Sequence, residues 1–136
     1  MPDKECIIEL ITYAIEARNN AYSPYSHFAV GAAVMAGEKV FTGCNIENSS
    51  YGATICAERV AVCAAVKEGF RDISMIAIVG GREGEEPEEI TYPCGICRQF
   101  LSEFNPDMYV IAAKDIHDYD MRKLSDFLPE YFRLKE

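Results

Sequence analysis

Two short cysteine-bearing fragments constrain this chain more than any other feature: Cys56-Ala57-Glu58-Arg59 and Pro93-Cys94-Gly95-Ile96-Cys97. Each stands where a helix is expected to begin. At a helix start the unpaired backbone amides and the helix dipole favour thiolate over thiol. Cys94 and Cys97 are three residues apart, so in a first helical turn they share a face, with β-carbons about 5–6 Å apart. Two sulfurs each about 2.3 Å from one zinc ion need that approach. Cys56 can supply a third ligand from the other helix, provided the fold brings the two helix starts to one point. Three protein ligands are the expected count. Cys63 lies seven residues past Cys56, about 10 Å farther along the helix axis, and His27 and His117 lie outside both fragments. Three thiolates leave one tetrahedral position open for water, the mark of a catalytic rather than a structural zinc site. Glu58, two residues from a ligand, is placed to handle protons beside that water. Three thiolates with Zn²⁺ carry a net negative charge, which Arg59 can offset by donating to a ligand sulfur.

Six cysteines in 136 residues (Cys6, Cys44, Cys56, Cys63, Cys94 and Cys97) also permit three disulfides, a reading that requires a secreted context. The Met1 to Glu5 segment is acidic and precedes an amphipathic stretch, unlike a secretory signal. No apolar run approaches the roughly 18 residues of a membrane span. A cytoplasmic protein is therefore expected, where clustered cysteines serve metals or redox chemistry. A net charge of −9 argues against nucleic acid or an anionic membrane surface as the main partner, since both require a basic footprint.

Along the chain, Ile7, Leu10, Ile11, Ala14 and Ile15 recur with helical periodicity over residues 3–18, and Asn19-Asn20 end that helix. Residues 21–27 (AYSPYSH) form a loop around Pro24. Residues 28–35 and 39–44 make two strands joined at Ala36-Gly37-Glu38, a hairpin. An irregular polar stretch, 45–54, leads to a helix over 56–67, with Gly69 placed as its C-terminal cap. The apolar run 73–79 reads as a strand buried on both faces. Residues 80–92 hold five glutamates and three glycines and read as a solvated loop. Pro93 opens a helix to about Phe104, stopped by Asn105-Pro106. Residues 108–113 are another buried strand, followed by a short helical patch over 123–128 and a tail. Alternating strands and helices give one α/β domain spanning 1–136. Cys6 and Cys63 fall on apolar helix faces as small core residues, and Cys44 is expected to be packed.

A glutamate motif followed by Pro-Cys-x-x-Cys is the known signature of the zinc deaminases. The chain resembles the small, homotetrameric cytidine deaminases through AYSPYSHFAVGAAV, GCNIENSSYGATICAER and YPCGICRQFLSE, in that order, and through FLPEYF near the end. The resemblance implies a three-layer α/β/α sandwich with a mixed, roughly five-stranded central sheet. It also implies one Zn²⁺ per chain on Cys56, Cys94 and Cys97, with Glu58 as the proton shuttle. The reaction would be hydrolysis of the amine at C4 of cytidine and 2′-deoxycytidine, in pyrimidine salvage. By the same resemblance Phe28 stacks on the base, the Ala57 amide binds it, and Asn45 and Glu47 hydrogen-bond the ribose. Phe132 would reach a neighbouring subunit's site. The chain departs from the family pattern in a long acidic loop, 83–89, and in Gly52-Ala53 after Tyr51, which bear on substrate preference.

Other readings use the same residues. Cys94 and Cys97 alone match a thiol–disulfide redox pair, but that leaves Cys56-Ala57-Glu58 without a purpose. With Cys44 as a fourth ligand the zinc would be structural. A polynucleotide deaminase disagrees with the acidic balance and with cysteine in the first ligand slot, where nucleic-acid deaminases usually carry histidine. A deaminase of a cytosine-containing antibiotic such as blasticidin would keep the metal fragments and vary the pocket. Without its neighbours Phe28 would read as core and Asn45 as a turn residue. Tyr22, Tyr25 and Tyr51 either line the pocket or pack the loops.

Overall fold

The chain begins with helix α1, Lys4–Ala17, because Asp3 caps it: its carboxylate accepts from the Cys6 amide at 2.8 Å. Ile7, Leu10, Ile11 and Ala14 form its buried face. The computed structural model describes residues 1–134. A single 3₁₀ turn, Arg18–Asn20, follows the helix. The expected hairpin then forms from β1, Phe28–Ala36, and β2, Lys39–Cys44, with Gly37 at φ +63° in the connection. Helix α2, Ala57–Lys67, leads to β3, Ile73–Arg82, and α3, Gly95–Ser102, to β4, Tyr109–Ala113. Strand β5, Tyr119–Lys123, and the short helix α4, Leu124–Phe127, complete the structure. The sheet order is β2-β1-β3-β4-β5; β3 and β4 run parallel and the other pairs antiparallel.

The central strands β1, β3 and β4 are largely apolar on both faces because helices cover both. Ala32, Val34, Ile76, Ile78 and Val110 face one core with Ala61, Val62 and Ala65 of α2 and Leu101 of α3. Ala33, Ala77, Val79 and Ile111 point the other way, onto Ile7, Leu10, Ile11 and Ala14 of α1. This is the expected α/β/α sandwich with a mixed five-stranded sheet. Each fully buried isoleucine or valine contributes about 1.5–3 kcal/mol of transfer free energy. Gly43 of β2 sets how close α2 can come: a Cβ there would lie 2.5 Å from the Ala61 nitrogen and 2.7 Å from the Ala57 oxygen. The first turn of α2, which carries Ala57 and Glu58, therefore rests directly on the β2 backbone.

The structure corrects the sequence reading in three places. Strand β3 continues through Gly80 and Gly81 to Arg82, pairing with Val30, Ala29 and Phe28 of β1. The glycines there serve a crowded strand, since a Cβ on Gly80 would lie 2.6 Å from Thr91 Oγ1 and 2.8 Å from the Phe28 ring. Strand β5 falls where a plain connection was expected; as a partly exposed edge strand it has no run of apolar residues to announce it. Cys63 is exposed rather than core, because the buried face of α2 is made by Ala57, Glu58, Ala61, Val62 and Ala65. Cys6 and Cys44 are partly buried. No disulfide is present among the described residues, and no helix among them is long and apolar enough to cross a membrane.

Candidate active site

Cys56 and Cys94 are the N-cap residues of α2 and α3, both in extended backbone conformation, and neither side chain is spent on capping its helix. Cys97 follows in the first turn of α3 and is fully buried. The three sulfurs lie within 4.8 Å of one another, and Cys56 Sγ is 3.6 Å from Cys94 Sγ. Two sulfurs bound to one tetrahedral zinc sit about 3.8 Å apart. Thiolate donors at that spacing fit zinc, and a fourth position is left to a non-protein ligand. Cys44 and Cys63 stand outside the cluster.

The surroundings favour negative charge on the Cys56 sulfur. Hydrogen bonding from Cys97, and then from Arg59 and Cys94, holds the Cys56 thiol well below its ordinary value, and the Cys97 thiol is raised in consequence. Arg59 Nη2 lies 3.7 Å from Cys56 Sγ and 3.4 Å from the Thr54 carbonyl. Its buried Nε has no partner among the described residues. The guanidinium expected to offset the charge of the ligand sulfurs is thus brought beside Cys56. Glu58, only 4% exposed, sits in the first turn of α2. Burial pushes its carboxyl up to about 7, with the nearby Cys56 adding to the rise. Ala57, fully buried, is the first residue of that helix, so its amide belongs to the turn whose N–H groups have no intrahelical acceptor.

Asn45 and Phe28 are brought together. The buried Asn45 amide donates from Nδ2 to the Phe28 carbonyl at 2.9 Å and accepts from the Val30 amide at 2.8 Å. One N–H and one lone pair of that side chain remain for other partners. Glu47 accepts from the Tyr25 and Ser26 amides at 2.9 and 3.1 Å and from the Ser26 hydroxyl. The two residues expected to meet ribose thus also brace the loop 22–28 against the hairpin. Phe28 is 40% exposed and borders a cavity of about 280 Å³, lined also by Gly80, Glu89 and Thr91. The acidic loop is tied back beside it. Arg18 donates to the Ala29, Arg82 and Glu85 carbonyls, and Glu83 accepts from Ser23 and lies 3.5 Å from His27. Phe132 is 67% exposed; its backbone is paired with both ends of the Gln99 amide, at 3.0 and 2.7 Å.

Sequence reasoning missed Arg98 and Gln99, which directly follow Cys97 on α3 and hold the neighbouring segments. The available signal was position alone: Arg98 lies four residues from Cys94, one helical turn on.

An α/β/α sandwich that gathers three thiolates at two helix starts, with a buried carboxylate beside them, defines a mononuclear zinc hydrolase. The family model for the cytidine and deoxycytidylate deaminase zinc-binding region matches residues 4–113. The chain belongs to the cytidine and deoxycytidylate deaminase family. It is similar to the cytidine deaminase of Halalkalibacterium halodurans, at 43% identity over 93% of this chain and 94% of that protein. The crystal structure of a cytidine deaminase from Burkholderia pseudomallei superposes with a TM-score of 0.82 at 41% identity, covering 91% of this chain and 97% of that one. A blasticidin-S deaminase from Bacillus cereus is more distant, at 32% identity over 76% of each chain.

Proposed function

We propose that this protein hydrolyses the C4 amine of cytidine and 2′-deoxycytidine, releasing ammonia and leaving uridine or 2′-deoxyuridine. The observation that carries this reading is the buried Glu58 carboxyl in the same helical turn as the Cys56 cap, beside the sulfurs of Cys94 and Cys97. Cys56, Cys94 and Cys97 would hold one zinc ion, whose Lewis acidity lowers the pKa of water to near neutrality. The chain's own residues do the rest. Glu58 takes a proton from the attacking water and delivers it to N3 of the ring as oxygen adds to C4. The remaining hydroxyl proton passes through Glu58 to the departing amine, so the C4–N bond breaks and ammonia leaves. The Ala57 amide orients the base, Phe28 packs on its face, and the spare hydrogen-bonding capacity of Asn45 and Glu47 meets the ribose. Arg59 moderates the charge of the thiolates.

The reading takes residues 1–136 as one domain, supported by a single sheet with a core on each face; the last two lie outside the described residues. It further takes the protein to be a cytoplasmic homotetramer of pyrimidine salvage, with Phe132 reaching a neighbour's site. Supporting the assembly are the exposed aromatic side chains Tyr22, Tyr25, Phe28, Tyr51 and Phe132, which a single chain leaves in water. The likeness to a blasticidin-S deaminase keeps an antibiotic substrate as the second reading.

Replacing Glu58 by Gln keeps the shape and removes the proton carrier. Glu58→Gln should retain zinc while kcat falls at least about 100-fold, the usual scale of general acid–base catalysis. Zinc retained with near wild-type turnover would remove the shuttle from the account.

A further inference from the structure

The two cap cysteines are held very differently. Before Cys56, Ile55 exchanges both backbone hydrogen bonds with Ile46, each at 3.0 Å, so the chain enters the site from a two-sided bridge. Before Cys94 there is no such bridge. Strand β3 ends at Arg82, and the residues between it and α3 belong to no helix or strand. The residue next to Cys94 is Pro93, which has no N–H to pair. Only its carbonyl can be held, and Arg98 holds it: Nε donates to the Pro93 oxygen at 2.7 Å. The same guanidinium donates from Nη1 to the Phe127 carbonyl of α4 at 3.1 Å and lies 5.2 Å from the centre of the Phe127 ring. Phe127 is itself fixed, with Arg122 at 4.9 Å from its ring centre and Tyr92 at 5.9 Å edge-on. Tyr92 donates to Asp120 at 2.8 Å, and Asp120 takes both arms of Arg122 at 3.0 and 2.7 Å. The Pro93–Cys94 peptide is thus braced against β5 and α4 through one planar, two-carbonyl fork.

We propose that Arg98 is a positioning residue: by fixing the Pro93 carbonyl it places Cys94 Sγ for the metal and sets how slowly the metal is lost. This rests on the zinc reading above. Cys94 is the exposed member of the triad, so it is the ligand at which release would begin once its backbone is free to swing. A lysine offers a single ammonium that cannot span both carbonyls in the fork geometry. Leucine at position 127 would remove the ring and keep the carbonyl.

The test is the rate at which zinc-loaded protein yields its metal to a chromogenic chelator, measured on the full chain. Arg98→Gln should release zinc about 10-fold faster or more, the scale on which residues behind a metal's ligands act. Arg98→Lys should fall between it and wild type. Phe127→Leu should stay close to wild type, even if its urea midpoint drops. Arg98→Gln releasing zinc at the wild-type rate, whatever its urea midpoint, would overturn the proposal. Should that variant fail to fold, wild-type release from Arg98→Lys overturns it equally. Cys94→Ala is the control. Full zinc retention by that variant, or no zinc in wild type, would refute the thiolate site itself, a result distinct from failure of the Arg98 brace alone.

Discussion

Gly43→Ala adds one methyl group at the point where β2 meets α2. The new Cβ would stand 2.5 Å from the Ala61 nitrogen and 2.7 Å from the Ala57 oxygen, against ordinary contact from 3.4 Å. Both obstacles are backbone, so no rotamer change relieves them, and α2 must retreat by about 1 Å or bend. Overpacking of this kind costs roughly 1–3 kcal/mol. We expect a value near the top of that range, which lowers the folding constant by about 100-fold at 1.4 kcal/mol per tenfold. The displaced turn carries Glu58 and follows Cys56, and misplacing reacting groups by about 1 Å can lower turnover about 100-fold. Urea denaturation followed by circular dichroism measures the first effect, and kcat on cytidine the second. Gly52→Ala is the internal control, because a Cβ there meets nothing within 4 Å and a free surface site moves stability by at most about 0.5 kcal/mol. Equal stabilities for the two variants would refute the close seating of α2 on β2.

Asn45→Ala should cost stability as well as binding: it leaves the Val30 amide and Phe28 carbonyl without their partner, about 1–3 kcal/mol for each buried group left unpaired. Its KM should rise far more for cytidine than for free cytosine; equal rises would take ribose recognition away from Asn45. Glu47 titrates below its ordinary 4.5, chiefly through the Ser26 hydroxyl and then the Ser26 and Tyr25 amides. A depressed carboxylate stabilises the fold fully above its unfolded value and loses that effect as pH falls through the folded one. The Tyr25 and Ser26 amide resonances should therefore shift together with a midpoint below 4.5 and stay still in Glu47→Gln; a midpoint above 4.5 contradicts the loop clamp. Stripping zinc with a chelator should abolish deamination and free three further titratable thiols. Unchanged thiol titration would show that the cysteines do not bind it.

The two cysteine fragments were legible because helix starts, ligand spacing and a nearby carboxylate are local properties. They named Cys56, Glu58, Cys94 and Cys97 without any tertiary information, and the structure gathers all four. The helices α1 and α2 and the first four strands were legible for the same reason, through period and punctuation. What escaped depends on pairing and packing partners rather than on local pattern. Strand β5 is an edge defined by β4, and the end of β3 is defined by Phe28 and Thr91 filling the space above Gly80. Asn45, expected at the ribose, also clamps the β1 backbone, a duty no motif encodes. No motif marks Arg98, since the carbonyls it joins lie 5 and 29 positions away.

Zinc content and ammonia release, measured together on one purified sample offered cytidine, 2′-deoxycytidine and blasticidin S, test the central claim most directly. The account predicts about one zinc per chain, from the single open tetrahedral site, with turnover of both nucleosides. Metal-free protein whose Cys94 and Cys97 cycle between dithiol and disulfide, without ammonia from any of the three, would contradict it.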